Sequence, residues 1–308
     1  MKPAAFGKVA VLMGGASAER DVSLKSGKAV LNALCAQQVD AFAFDPAERP
    51  LTDLLELGVD RAFIILHGRG GEDGAMQGAL QTLGVPYTGS SVLGCALAMD
   101  KVRTKQIWQS MQLPVAPSVV IRVGTQQWDA EQILQQLGSK VIVKPALEGS
   151  SIGMSVADNA NELDTAIKEA LRYNSDVLVE RWITGKEYTV ALLNDEALPA
   201  IRLQTPHQFY DFSAKYQAND TQYHCPAGLS DDDEHHLRQL ALAAFAALDG
   251  KGWGRIDAMR DEQGQWFLLE ANAVPGMTEK SLVPMAAKQR GLSFEQLVWT
   301  ILAQTLEQ

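Results

Sequence analysis

The sequence has few cysteines and no long apolar run. Cys35, Cys95 and Cys225 are its three cysteines, and they are far apart and lack the spacing of a metal site. This argues against a disulfide framework and against a cysteine-bound metal, so we expect reduced thiols. The apolar run after Lys8 is too short for a signal sequence or a membrane span, and we therefore expect a cytoplasmic protein with no membrane partner.

Positive charge is also scarce. The chain of 308 residues carries 27 Lys and Arg against 37 Asp and Glu, a net charge of −10. This balance argues against nucleic acid or an anionic membrane as a general partner, although local basic pockets for phosphates are compatible with it. With 46% hydrophobic residues, the chain can bury a large core, and its length predicts two or three domains.

Two apolar runs flank Gln263-Gly264 and predict a β-hairpin with a two-residue turn. That turn would place Asp257 opposite Glu270 and Arg255 opposite Asn272, with all four side chains on one face. The other face would be apolar and turned to the core. It would carry Ile256, Ala258, Leu269 and Ala271.

The polar face of this hairpin has the chemistry of a magnesium site. Two carboxylates and a carboxamide oxygen beside a guanidinium suit Mg²⁺, which prefers oxygen ligands and shares them with nucleotide phosphates. The absence of thiolate and imidazole argues against zinc. The alternative is a surface hairpin whose acidic groups are solvated, but apolar neighbours and the strand exit into residues 272–276 favour a functional cluster.

The first third of the chain predicts a parallel βαβ unit with polar groups at the ends of its strands. Residues 8–13 form a buried strand that enters a glycine turn carrying Ser17 and Glu19, and residues 61–66 lead into a glycine-rich loop that begins at His67. Ligands bind at such strand ends in open α/β sheets. Glu19 could equally be a first-turn helix residue, and His67 a structural histidine. The GxGxxG spacing of dinucleotide sites is absent.

A second unit follows a predicted helix from Cys95 to about Met111. Lys144 lies in an apolar strand before a loop of small hydrogen-bonding residues, 147–153, and this pattern suggests phosphate binding without P-loop spacing. The alternative is a lysine that snorkels at a strand edge. Glu180 and Glu187 could bind a purine nucleoside, but alone they are ordinary strand-end carboxylates.

From residue 187 onward the pattern predicts antiparallel strands, a lid over residues 205–226, and a closing amphipathic helix over about 294–308. His235 and His236 are adjacent and are expected at the surface. We predict an α/β protein with three parts: a Rossmann-like parallel-sheet domain over 1–95, a central α+β unit over 96–184, and a C-terminal α+β unit with an antiparallel sheet over 185–308.

The motifs together resemble the D-alanine–D-alanine ligases of the ATP-grasp superfamily almost end to end. The motifs that carry the resemblance are Ser17-Ala-Glu19, His67-Gly-Arg-Gly-Gly-Glu-Asp-Gly74, Met99-Asp-Lys101, Lys144-Pro with Glu148-Gly-Ser-Ser, Lys215-Tyr216, Glu270-Ala-Asn272 and Pro275-Gly276 with Ser281-Leu282. No single motif is specific, but the set is.

The resemblance implies an ATP-grasp fold in which ATP and two Mg²⁺ ions, or Mn²⁺, lie between the central and C-terminal units. It implies that one D-alanine is phosphorylated on its carboxylate and that the amine of a second D-alanine attacks the acyl phosphate. The product would be a dipeptide precursor of peptidoglycan. The resemblance also implies a homodimer formed through the N-terminal unit.

Residue roles are carried over from the same resemblance. Lys101 and Lys144 would hold the α- and β-phosphates, and Lys215 the γ-phosphate as the lid closes. The remaining nucleotide contacts would come from Glu180, Trp182, Ile183, Glu187 and Phe209. Asp257, Glu270 and Asn272 would ligate magnesium. Arg255 and the Gly276 amide would stabilise the oxyanion.

The same carry-over implies the substrate contacts. Glu19 would bind the first ammonium with His67 nearby, and Ser281 with the Leu282 amide would bind the second carboxylate. Ser150, Tyr216 and Glu19 would form a hydrogen-bonded set. The chain departs from the family at Ala273-Val274, where a polar residue is frequent, so a hydrogen bond near the metal site would be missing.

Three alternatives stay open at this point. A D-alanine–D-lactate ligase shares most of these motifs, but the Lys215-Tyr216 pair favours the dipeptide branch. Another ATP-grasp ligase would lack Glu19 and Ser281, and a non-catalytic nucleotide-binding protein would lack one of the metal or oxyanion residues. The sequence identifies no general base for the attacking amine.

Overall fold

The structure is a computed structural model, and it describes residues 2–205 and 221–307. The helices of the described residues are α1 (Arg20–Ala36), α2 (Asp53–Glu56), α3 (Ala75–Leu83), α4 (Val92–Met99), α5 (Lys101–Ser110), α6 (Ala130–Leu137), α7 (Ala160–Leu171), α8 (Asp231–Ala246), α9 (Leu282–Gln289) and α10 (Phe294–Ala303). Within these ranges, none of the helices combines the length and apolar character needed to cross a membrane.

The strands form three sheets. The first is parallel, with order β2-β1-β3, and consists of β1 (Lys8–Leu12), β2 (Asp40–Phe44) and β3 (Arg61–Ile64). The second is antiparallel, with order β4-β7-β5-β6, and consists of β4 (Ser118–Ile121), β5 (Val141–Pro145), β6 (Ser155–Ala157) and β7 (Val177–Arg181).

The third sheet is antiparallel and has the described strand order β11-β10-β8-β12-β13, with β9 beside β8. Its strands are β8 (Gly185–Leu193), β9 (Glu196–Ala197), β10 (Ile201–Gln204), β11 (Gln222–His224), β12 (Trp253–Asp261) and β13 (Trp266–Asn272). β12 lies centrally and β13 at an edge. The α/β fold with one parallel and two antiparallel sheets confirms the predicted fold class.

The N-terminal sheet does not form a core by itself. The apolar side chains of β1 and β3 share one buried cluster with those of α9 and α10 near the end of the chain. Phe6 and Trp299 illustrate this contact, with ring centroids 4.8 Å apart in an edge-to-face arrangement. The first and last parts of the sequence therefore pack together, and this contact fixes the N-terminal unit against the C-terminal one.

One local prediction is wrong, and a second falls mostly on residues that the structure does not describe. The single helix expected from Cys95 to Met111 is two helices, because the Asp100 carboxylate accepts hydrogen bonds from the amides of Val102 and Arg103 and begins a new helix. The segment expected to be a lid ends in a strand, since β11 pairs with β10. Residues 206–220 of that segment lie outside the described residues.

Candidate active site

The β12–β13 pair organises the polar face of the site. Asp257 faces Glu270 and Arg255 faces Asn272, as the hairpin pattern predicts. The loop, however, has three residues, 262–264, with Gly264 at φ +83°, and the predicted two-residue turn is wrong. Leu269 is an extra residue in a β-bulge between the pairs Asp257–Glu270 and Ala258–Leu268.

The bulge changes which leucine enters the core. Leu268 is fully buried, whereas Leu269 is half-buried and lines a cleft beside Met259. The prediction that Leu269 faces the core is therefore wrong. The extra residue of the bulge shifts the alternation of side chains between Leu268 and Glu270, so Leu268 points to the core in place of Leu269. Ile256, Ala258 and Ala271 are buried as predicted.

Asp257 lies at the centre of a hydrogen-bonded cluster. Arg255 Nε donates to its Oδ1 at 2.8 Å and Arg255 Nη2 to its Oδ2 at 2.7 Å. Thr189 Oγ1 donates to Oδ1 at 2.6 Å, and Asn272 Nδ2 donates to Oδ2 at 3.1 Å. A carboxylate has about four acceptor positions, so these four donors use all of them.

The residues fit a hard divalent cation, provided that the cation displaces one of the hydrogen-bond donors of Asp257. Carboxylate and carboxamide oxygens from Asp257, Glu270 and Asn272 are the ligands that Mg²⁺ and Mn²⁺ prefer. No trio of His, Cys, Asp and Glu side chains in residues 2–205 and 221–307 is placed to hold a metal. The set therefore depends on the Asn272 carboxamide, and direct coordination by Asp257 requires the cation to replace one protein donor.

A cavity of about 610 Å³ lies on one side of this cluster. Ten of the predicted site residues line it. The predicted catalytic and substrate-binding ones are Glu19, His67, Ser150, Arg255, Gly276, Ser281 and Leu282, and they are joined by Lys101, predicted to bind ATP, and by the predicted metal ligands Glu270 and Asn272. The fold thus gathers into one concave surface groups that come from the N-terminal unit, the central loop and the last third of the chain. We call this space the substrate cavity.

Glu19 joins two units inside the substrate cavity. Its side chain is buried, and Ser150 Oγ donates a hydrogen bond to Glu19 Oε1. A Cβ at Gly149 would lie 2.7 Å from Glu19 Oε2, so the loop needs glycine there to approach the carboxylate. The predicted contact between Ser150 and Glu19 is present, whereas Tyr216 lies outside the described residues.

His67 is held as a neutral imidazole in the wall of the substrate cavity. Burial and the nearby Arg255 together lower its pKa to about 4, although the contact with the Val274 carbonyl raises it in part. The Nδ1 atom lies 2.9 Å from that carbonyl and so carries the proton, because a carbonyl oxygen can only accept. The Nε2 atom is buried and has no hydrogen-bond partner in the described part of the chain.

Glu72 is a residue of the substrate cavity that the sequence analysis does not identify. It stands in the glycine-rich motif and lines the same cavity as Glu270. Burial and the neighbouring Glu19 raise the pKa of Glu72 to about 8, although a Gly68 amide and Lys101 lower it. Near neutral pH the carboxyl group is therefore mostly protonated and can donate a hydrogen bond.

The far end of the substrate cavity is the start of α9. Ser281 is the N-cap residue, and its Oγ accepts a hydrogen bond from the Thr278 amide at 3.0 Å. The amides of the first helical turn, from Leu282 onward, have no partner within the helix and can receive an anion. This geometry is compatible with the predicted carboxylate site.

A second cavity of about 560 Å³ lies between the central and C-terminal sheets, and we call it the nucleotide cavity. Five of the predicted nucleotide-binding residues line it. They are Lys144, Glu180, Trp182, Ile183 and Glu187. Phe209 and Lys215 lie outside the described residues. Glu270 lines both cavities, so the two spaces meet at that carboxylate.

Lys101 lies at this junction, on the side of the substrate cavity. Its Nζ donates to the Glu148 carbonyl at 2.5 Å and is 3.8 Å from Glu270 Oε2. The position at the start of α5, just after the Asp100 cap, directs it toward the central loop. A cation here can reach a phosphate chain that extends from the nucleotide cavity toward the substrate cavity.

A buried ion cluster forms the floor of the nucleotide cavity. Glu180 Oε1 is 2.6 Å from Lys105 Nζ, and Glu180 Oε2 is 2.7 Å from Lys144 Nζ. Burial alone would raise the pKa of Glu180, but the two lysines outweigh it and lower the pKa to about 2. Lys105 is not among the site residues predicted from the sequence, because nothing in the sequence distinguishes it from an ordinary helix lysine.

Arg69 is another residue near the site to which the sequence motifs assign no role. It reaches from the N-terminal unit to the central one, where its Nη2 is 2.6 Å from Glu148 Oε1 and donates to the Tyr173 carbonyl at 2.9 Å. These contacts hold the loop that carries Ser150. In contrast, His235 and His236 are exposed on α8, as expected.

Family comparisons agree with this arrangement. A family model described as D-ala D-ala ligase C-terminus matches residues 107–303, and one described as D-ala D-ala ligase N-terminus matches residues 45–90. Among solved structures, a D-alanine–D-alanine ligase from Bacillus anthracis complexed with ATP has a TM-score of 0.85 and 27% identity, with 97% of each chain covered.

Full-length relatives give the same result. A D-alanine–D-alanine ligase from Idiomarina loihiensis is 67% identical over 308 residues, which is 100% of both chains. One from Pseudoalteromonas translucida is 60% identical over 301 residues, 98% of each chain. The first of these matches covers the whole chain, which includes the residues of all three sheets and both cavities.

The low pKa of His67 predicts a loss of stability in acid. Between pH 6.5 and about 4 the imidazole is protonated in the unfolded chain but neutral in the folded chain. Protonation therefore favours the unfolded chain, and the free energy of unfolding falls as the pH falls through that window. The contribution is at most about 3 kcal/mol. Urea unfolding at several pH values should show a weaker pH dependence in His67→Gln than in the wild type.

Exposed His235 provides the control for this experiment. His235→Gln should keep the pH dependence of the wild type. An equally steep acid loss in His67→Gln and the wild type would contradict the buried neutral imidazole.

Proposed function

The chain belongs to the D-alanine–D-alanine ligase family, and we propose that it joins two D-alanine molecules in an ATP-dependent reaction that supplies D-alanyl-D-alanine for peptidoglycan synthesis. The observation that carries the proposal is the meeting of the substrate and nucleotide cavities at Glu270. A ligase of this class must bring a carboxylate and a terminal phosphate into contact while water is excluded.

In the first step, a carboxylate oxygen of D-alanine attacks the γ-phosphorus of ATP, and ADP leaves. The product is an acyl phosphate. When an amine attacks it, phosphate can leave, whereas a free carboxylate could lose only an oxide. Glu19 binds the ammonium of this D-alanine, while Lys101 and Lys144 neutralise the phosphate chain. Catalysis of this kind depends on positioning and charge neutralisation.

In the second step, the neutral amine of the other D-alanine attacks the acyl carbon, and phosphate leaves from the tetrahedral intermediate. Arg255 and the Gly276 amide line the substrate cavity and are proposed to stabilise the oxyanion. Ser281 and the Leu282 amide bind the carboxylate of this second substrate. The attacking nitrogen loses one proton, and we assign no acceptor for it.

We propose that Asp257, Glu270 and Asn272 hold Mg²⁺ or Mn²⁺, two ions in all with the help of the nucleotide phosphates. A bound divalent cation supplies charge neutralisation at the transferring phosphate. The protein contributes oxygen ligands that Arg255 and Thr189 orient through Asp257.

The organisation of the protein is proposed from the family. We assign residues 1–95 to a substrate-binding domain and residues 96–184 and 185–308 to the two halves of an ATP-grasp fold. We propose a cytoplasmic homodimer formed through the N-terminal unit, and the three free cysteines suit a reducing compartment. A monomeric mass by light scattering at micromolar concentration would exclude the dimer.

The direct test is ATP-dependent phosphate release with D-alanine, L-alanine or D-lactate, followed by product identification. D-alanine alone should support release and yield D-alanyl-D-alanine, and removal of divalent cations with a chelator should stop it. Release that requires D-lactate would move the chain to the depsipeptide branch. Release with none of these substrates would refute the proposed activity.

Arg255→Lys should lower kcat about 100-fold, because lysine cannot keep both the paired contact with Asp257 and the contact with the oxyanion. The KM for ATP should change little, since Arg255 does not line the nucleotide cavity. Steady-state kinetics with ATP varied at saturating D-alanine measure both kcat and the KM for ATP.

Arg260→Lys is the matched control on the same strand. Arg260 makes a paired contact with Asp233, at 2.9 and 2.6 Å, away from both cavities. Its kcat should stay within about twofold of wild type. Equal losses in the two variants would show that Arg255 acts only through folding.

A further inference from the structure

Lys105 is a buried lysine that touches neither cavity. It lies on α5, its side chain is 4% exposed, and it faces the floor of the nucleotide cavity from below. Burial lowers the pKa of its ammonium, and the partner carboxylate Glu180 opposes that shift. A fully buried cation is costly unless it is paired, so its contacts require an explanation.

The first contact is with Glu180 of the central sheet. The carboxylate is shared between two ammonium groups, with Lys105 on Oε1 at 2.6 Å and Lys144 on Oε2 at 2.7 Å. Two cations and one anion leave a net charge of +1 beneath the cavity. If Lys105 were neutral, Glu180 would pair with Lys144 alone, and the net charge would be zero.

The second contact is with the C-terminal sheet. Lys105 Nζ donates to the Leu268 carbonyl at 2.8 Å, and the Leu268 amide donates to the Pro114 carbonyl at 2.9 Å. Leu268 lies in edge strand β13 beside the bulge, so these partners satisfy backbone groups that no strand of the described residues pairs on that side. Lys105 thus links α5 and the central sheet to the strand that carries Glu270.

We propose that Lys105 is a positioning residue for ATP: its ammonium keeps Lys144 available to the phosphate chain by sharing Glu180, and it holds β13 at the bulge that presents Glu270. This inference rests on the proposed ATP-dependent function. Lys105 touches no reacting atom, and its effect passes through Glu180, Lys144 and the Leu268 carbonyl.

The test uses the full chain and a non-hydrolysable ATP analogue with Mg²⁺, whose Kd is measured by calorimetry. Lys105→Met removes the ammonium and keeps the stem. It should raise this Kd and the KM for ATP about tenfold, which corresponds to about 1.4 kcal/mol. The KM for D-alanine should stay within about twofold, because Lys105 does not reach the substrate cavity.

A charge rescue separates this role from a merely structural one. Lys105→Met combined with Glu180→Gln removes one cation and one anion, so the net charge of the cluster returns to +1 and Lys144 is no longer fully paired. Because Glu180 is itself a proposed nucleotide contact, Glu180→Gln alone is the reference for the double variant. Lys105→Met should weaken binding of the analogue about tenfold in the wild type and much less in the Glu180→Gln background. A rescue of this kind is not expected from loss of packing.

Thr104→Val is the matched control, since Thr104 is buried on the same helix and donates to the Leu97 carbonyl at 2.6 Å without touching the cluster. It should leave the analogue Kd unchanged. If Lys105→Met does not fold, Lys105→Gln replaces it, because a carboxamide can still donate to the Leu268 carbonyl without charge.

Two results would overturn the proposal. One is an analogue Kd in Lys105→Met equal to that of the wild type, and the other is an equal loss of binding when Lys105→Met is introduced into the wild type and into Glu180→Gln. Failure of the wild type itself to bind the analogue would instead refute the proposed ATP-dependent function. The three outcomes are therefore distinguishable.

Discussion

The pairing of Asp257 with Glu270 across β12 and β13 is the constraint on which the site depends. It places two carboxylates, a carboxamide and a guanidinium on one face of a strand pair, in which β12 is central and β13 is at an edge. Two irregularities produce this pairing together, the three-residue loop at 262–264 and the extra residue Leu269. Either one alone would shift the strand by one position and turn Glu270 away from the face that Asp257 shares.

Buried charge is the second organising feature. Glu19, Glu180, Lys101, Lys105 and Lys144 are all at most 8% exposed, and each has a partner of opposite charge or a polar neighbour. Breaking such a pair is costly, so these groups also bind the units to one another. Glu19 joins the N-terminal unit to the central loop, and Lys105 joins the central sheet to β13. The same contacts that set the charge of the cavities fix the relative position of the sheets.

Much of this arrangement follows from local patterns. Alternating apolar residues and glycine turns predict the strands and the cluster of Arg255, Asp257, Glu270 and Asn272. Asp100 is a preferred N-cap residue type and marks the start of α5, although the single helix predicted there did not take it into account. The bulge at Leu269 could not be predicted, because it is held by Lys105 and Pro114, which lie far away in sequence. The hairpin prediction contains two errors that cancel. It gives the turn two residues where the structure has three, and it omits the extra residue of the bulge, so the predicted pairing is still correct.

The central claim is that phosphate transfer takes place where the two cavities meet at Glu270. The most direct measurement is a crystal structure with Mg²⁺, a non-hydrolysable ATP analogue and D-alanine. We expect the terminal phosphate beside Glu270 and Lys101, with the D-alanine carboxylate facing it from the substrate cavity. A triphosphate chain that points away from Glu270, or D-alanine bound outside the substrate cavity, would contradict it.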